Sequence, residues 1–68
     1  MNKFSERLKE LRTEKGLTMK QLADAVKVSE MAISRWESRS RLPNINAVIA
    51  LAAFFNVTAG QLLGTEEL

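Results

Sequence analysis

Cysteine and histidine are both absent from this 68-residue chain. Their absence excludes disulfides, thiolate chemistry, Cys/His zinc sites and the usual general base. The eight carboxylates are mostly spread along helical segments, which argues against a metal cage or a paired-acid hydrolase. Long apolar runs are missing as well. The longest, Ala47 to Phe55, is nine residues, against the ~18–20 that a membrane span requires. The start, MNKFSERLKE, is charged and has no apolar stretch of the kind a secretory signal needs. The expectation is a soluble, cytoplasmic protein that is no enzyme, holds no cofactor or metal and does not enter a membrane. Its folding must rest on apolar packing, and 46% hydrophobic residues suffice for a core. A chain this short sits near the lower limit for folding alone, so self-association is an expected help.

Glycine and proline are scarce, and their positions punctuate the chain. Phe4, Leu8 and Leu11 recur at helical spacing, which predicts a first helix from about Lys3 to Lys15, with Asn2 as its cap and Gly16 as its stop. Thr18 and Gln21 form a capping box that opens a second helix to about Ala25. Leu22, Ala23 and Val26 face inward on it. Ser29 caps a third helix that ends near Ser38, and Pro43 prevents a helix from running through the loop that follows. Asn44 caps a fourth helix from Ile45 to Phe55, and Asn56 suits its left-handed end. A second capping box, Thr58 with Gln61, starts a short fifth helix that Gly64 stops. No strand-type alternation of useful length and no repeat is visible. The reading is one all-α domain over residues 1–64, with a tail of residues 65–68 expected to fray.

The third helix has two unlike faces. At about 100° per residue, Ala32, Ile33 and Trp36 fall on one side, and Glu30, Met31, Ser34, Arg35 and Ser38 fall within about 140° on the other. One face accounts for burial in the core. The other mixes an acid, a thioether, hydroxyls and a guanidinium, which is not an ordinary solvation face. Charge is biased to the same region: the net charge is +2, and the first 64 residues hold ten basic against six acidic side chains. Lys27, Arg35, Arg39 and Arg41 lie close together. Mild, localised positive charge suits nucleic acid better than a membrane surface. The join of about three residues between the second and third helices suits two short helices packed steeply, as in a helix-turn-helix.

These residues carry a resemblance. LTMKQLADAVKVSEMAISRWESRSRLPNINAVIALAAFFNVTAGQLLG, Leu17 to Gly64, together with FSERLKELRTEKG, is similar to the Cro/repressor-type (Xre-like, lambda-repressor-like) helix-turn-helix family of bacterial and phage regulators. The resemblance implies a compact five-helix, DNA-binding domain with the helix-turn-helix at helices two and three. It further implies a homodimer on double-stranded DNA with the third helix in the major groove. By position it implies base contacts from Glu30, Met31, Ser34 and Arg35. It implies phosphate contacts from the backbone N–H groups of Thr18 and Met19, contacts from Ser29 and Ser38, and a structural ion pair between Arg12 and Glu37; by their charge alone, Lys27, Arg39 and Arg41 are further expected phosphate contacts. Five departures stand out. Lys27 and Arg39 occupy positions where glycine is common, Met19 stands where glutamine is common, and Ala50 and Ala53 replace residues that are often charged. In a left-handed backbone Lys27 costs roughly 1 kcal/mol.

Chemistry supports those assignments. Arg35 can pair with the O6 and N7 of guanine, Glu30 can accept from cytosine N4, and Met31 can lie against a thymine methyl. Glu30 also repels phosphate and so weakens indiscriminate binding. Blander readings stand beside these. Glu30 is stabilised by the helix dipole wherever it points, Met31 is a plain exposed apolar residue, Arg35 pairs with Glu30 or Glu37, and Arg39 and Arg41 are loop charges.

The fourth helix is apolar nearly all round, which suggests burial on more than one side. Ile49, Ala53 and Phe54, with Leu63 of the fifth helix, are the expected contacts with a second copy. The alternative is that Phe54 folds back onto the first helix. The functional expectation is a transcriptional regulator, specifically a repressor on an inverted-repeat operator. The competing reading is an antitoxin-like or adaptor module with a protein partner on the same fold.

Overall fold

The computed structural model describes residues 3–68. Asn2, the expected first cap, lies outside them. Five helices follow one another: α1 Phe4–Glu14, α2 Met19–Val26, α3 Glu30–Glu37, α4 Ile45–Phe55 and α5 Ala59–Leu63. There is no strand among the described residues.

Local chemistry sets the boundaries. Both capping boxes form: the hydroxyls of Thr18 and Thr58 accept from the amides of Gln21 and Gln61, whose side chains accept from the threonine amides in return. Ser29 and Asn44 cap α3 and α4 by accepting from Ala32 and Ala47. Each such cap is worth about 1 kcal/mol. Lys3 stands at the start of α1 without a side-chain cap, so α1 depends on tertiary packing. Left-handed residues end α2, α4 and α5: Lys27 (φ 63°), Asn56 (φ 58°) and Gly64 (φ 84°).

Every helix contributes to a single core. Phe4, Leu8 and Leu11 of α1 meet Ile33 and Trp36 of α3, with Phe4 edge-on to Trp36 at 6.4 Å between ring centroids. Leu22 and the small Ala23 let α2 approach α3 closely, and Leu51, Phe55 and Leu62 close the opposite side. The residues of this core cluster are all apolar, so its stability comes from apolar packing.

The tail is folded back in this structure. The amides of Thr65 and Glu66 donate to the carbonyl of Gly60, and the Thr58 hydroxyl donates to the Glu66 carboxylate at 2.7 Å. Arg7 donates to the carbonyl of Gln61 at 2.6 Å, tying α1 to α5.

Candidate nucleic-acid interface

The turn between α2 and α3 consists of Lys27, Val28 and Ser29. Lys27 adopts φ 63°, ψ 44°, and the Val28 amide closes the turn by donating to the Ala23 carbonyl at 2.9 Å. This reverses the chain in three residues. It sets α3 across α2 with Ile33 and Trp36 buried and Ala32 half-buried. The opposite face follows from helical geometry: Glu30, Met31, Ser34, Arg35 and Ser38 are all exposed.

What these side chains do inside the fold divides them. The guanidiniums of Arg7, Arg12 and Arg39 are engaged, the last with Glu6 at 2.8 Å. Among the described residues, the side chains of Arg35, Arg41, Lys27 and Glu30 make no hydrogen bond or ion pair. Arg35 therefore pairs with neither Glu30 nor Glu37. Ser38 is occupied locally, donating to the Arg35 carbonyl at 3.2 Å and sharing a hydrogen bond with Ser40. Ser29 is occupied as the α3 cap, and among the described residues the Ser34 side chain makes no hydrogen bond on the outer face.

At the start of α2, the capping box consumes the amides of Thr18 and Gln21. The amides of Met19 and Lys20 remain as the donors of the first turn, aided by the helix dipole. Of the two residues expected to offer amides here, Thr18 and Met19, the first has its N–H consumed and the second keeps it free, with Lys20 beside it. Two residues were missed. Leu42 (69% exposed) and Asn44 border an open groove of about 330 Å³ with Ser29, Met31, Arg35 and Arg41. A second groove, of about 350 Å³, is lined by Met19, Glu30, Met31 and Ser34.

Arg12 and Glu37 are brought together as a two-pronged pair. Arg12 Nε lies 2.6 Å from Glu37 Oε2, and Nη2 donates to Oε1 at 3.0 Å. Arg12 Nη1 also donates to the Leu17 carbonyl at 2.8 Å. The hydrogen bond with Glu37 raises the pKa of Arg12 above its ordinary value.

The residues expected at a dimer contact are split. Ile49 (61% exposed) and Ala53 point outward, whereas Phe54 and Leu63 are half-buried against the chain's own core. Phe54 stacks edge-on with Phe55 and carries the Lys15 ammonium 5.7 Å above its ring. Leu42 and Ile45 extend the exposed apolar side at the start of α4. Among the described residues, no cluster of acidic side chains is placed to hold a metal ion. No helix is long and apolar enough to cross a membrane.

The helix-turn-helix family model matches residues 8–62 of this chain. The chain belongs to the helix-turn-helix family. This helix-turn-helix chain is 48% identical over 65 residues to the transcriptional activator BcrR of Enterococcus faecalis, covering 96% of the chain and 32% of the activator. A transcriptional regulator from Listeria innocua superposes with a TM-score of 0.90 at 28% identity, over 100% of this chain and 64% of that one. The P22 c2 repressor, solved in complex with a synthetic operator, superposes with a TM-score of 0.86 at 28% identity, over 93% and 96%. The fold is thus the Cro/repressor, lambda-repressor-like form of the helix-turn-helix, and the family is one of DNA-binding transcription regulators, not of enzymes. The chain spans between a third and a little over half of the length of the sequence relatives it matches.

Proposed function

We propose that this chain binds double-stranded DNA with α3 in the major groove and represses transcription as a homodimer on an inverted-repeat operator. The observation that carries the reading is the unpaired outer face of α3. Arg35 and Glu30 sit exposed and without intramolecular partners, while three other arginines are tied into the fold. Arg35 suits guanine, and Glu30 suits cytosine N4, with Ser34 beside them. Arg41, Lys27 and the first-turn amides of α2 suit phosphates, which position the protein without reading sequence. Arg39 belongs with them only if it leaves Glu6.

Two copies would place their recognition helices about one DNA turn apart. Ile45, Ile49 and Ala53 recur every four residues on α4 and form a continuous exposed apolar side, which supports self-association through α4. Repression needs only occupancy of the site, which DNA binding by this domain supplies.

Selection of binding sites from a random duplex pool at near-physiological salt tests the reading. An enriched inverted repeat is expected, and a reporter carrying it should fall in output when the chain is expressed. A rise would put the chain with activators. A pool that stays flat, with weak salt-sensitive binding only, would refute base reading by α3 and favour a protein partner on the same exposed α4 side.

A further inference from the structure

We propose that Met19 and Met31 together form a methyl-accepting cleft, so that one thymine in each half-site is chosen by its 5-methyl group. The inference rests on the DNA-binding reading above and assigns the Met19 side chain a specificity role beside the phosphate contact of its backbone amide.

The groove lined by Met19, Glu30, Met31 and Ser34 joins the first turn of α2 to the first turn of α3. Its two walls differ in exposure. Met19 is half-buried and packed against the core, and the Thr18 capping box fixes the turn on which it stands. Met31 is 59% exposed on the outer face. A packed thioether beside an exposed one makes an apolar groove that can adapt to a small apolar group, since methionine is flexible and polarisable.

The charge in the groove disfavours a phosphate as the occupant of its side-chain walls. Glu30 lines it without a cationic partner, and a carboxylate at close range repels a phosphate. What remains is a base edge that offers a methyl group beside an N–H donor. In the major groove the methyl belongs to thymine, and the donor best matched to a carboxylate is cytosine N4–H. The cleft therefore fits a thymine whose neighbouring pair presents cytosine N4 to Glu30, with the Ser34 hydroxyl free to serve either base. Glutamine at position 19 would supply amide hydrogen bonds there; methionine supplies only apolar surface and a weak acceptor.

The test uses the operator obtained by selection. Each thymine in the half-sites is replaced in turn by deoxyuridine, which removes the 5-methyl group and nothing else, and affinity is measured at fixed salt. Burial of one methyl corresponds to about a fourfold loss for one half-site and about fifteenfold for both. The loss should appear at one position per half-site. It should vanish in Met31→Ala and in Met19→Gln, and persist in Met19→Leu, which keeps the apolar wall. An operator indifferent to deoxyuridine would overturn the cleft and leave DNA recognition standing. A deoxyuridine effect that disappears in Met31→Ala but survives Met19→Gln would overturn the part given to Met19. A selection that yields no operator would overturn the function itself, and the cleft with it.

Discussion

Replacing Glu37 by glutamine is expected to bring this domain close to unfolding at room temperature. The Arg12 and Glu37 side chains are 11% and 4% exposed and share two hydrogen bonds, at 2.6 and 3.0 Å. Glutamine keeps the shape and one acceptor, but removes the negative charge and turns an amide donor toward the guanidinium. A cation is then left nearly dry and uncompensated, which costs about 3–5 kcal/mol. The whole domain has only about 3–10 kcal/mol to lose at this length. With about 2.1 cal/mol/K of unfolding entropy per residue, a loss of 3 kcal/mol lowers the melting temperature by roughly 20 °C. Thermal melting followed by far-UV circular dichroism reads this directly. Replacing both partners, Arg12→Met with Glu37→Leu, should recover most of the loss, because the pair as a whole contributes far less than the penalty of breaking it. A Glu37→Gln melt within a few degrees of the parent would refute the claim that the pair is desolvated. The pH dependence has a definite sign. The Glu37 hydrogen bond raises the folded pKa of Arg12 above the unfolded one. Its contribution is therefore complete below the unfolded value and is lost only as pH rises through the still higher folded one, so moderate alkalinity leaves it intact.

Three further outcomes are expected. Lys27→Gly should raise the melting temperature by about 5 °C, because relief of the left-handed strain outweighs the added freedom of the unfolded chain; a lower melting temperature would show the turn to be unstrained. Arg35→Ala should remove the preference for the selected operator with an unchanged helical spectrum, and retained preference would take Arg35 out of the reading face. Ile49→Glu should shift sedimentation toward monomer at little cost in stability, since Ile49 is largely exposed, whereas Phe54→Glu should also lower the melting temperature; an unaltered Ile49→Glu dimer would place the interface elsewhere.

The helices were legible because their signals are local. Thr18–Gln21 and Thr58–Gln61 are three residues apart, and Phe4, Leu8 and Leu11 declare a face within two turns. The ends shifted by a residue, with α1 stopping at Glu14 and α2 reaching Val26, because the last turn of a helix is decided by weak local terms. The two faces of α3 were readable from angle alone. Long-range pairings were not. Arg39 with Glu6 and Arg7 with the Gln61 carbonyl join positions 33 and 54 residues apart, and charged side chains leave no periodic trace of such choices. Arg12 with Glu37 was found only through resemblance. Phe54 illustrates a different limit: a helix apolar on all sides says that much is covered, but not by what, and here Phe55 and Lys15 cover part of it.

The C-terminal half of α3 is held to α1 at several points. Ser5 donates to the Trp36 carbonyl, Arg12 grips Glu37, Arg39 reaches Glu6, and Phe4 meets the Trp36 ring. None of these anchors uses the N-terminal half, where Glu30 and Met31 stand. The reading face thus stands on a short helix packed against α2 at its start and clamped to α1 at its end. Little internal order remains to be acquired when it docks, and encounter rates should vary little between good and poor sites. Discrimination should then appear as residence time, with the correct sequence recognised by how slowly the complex comes apart.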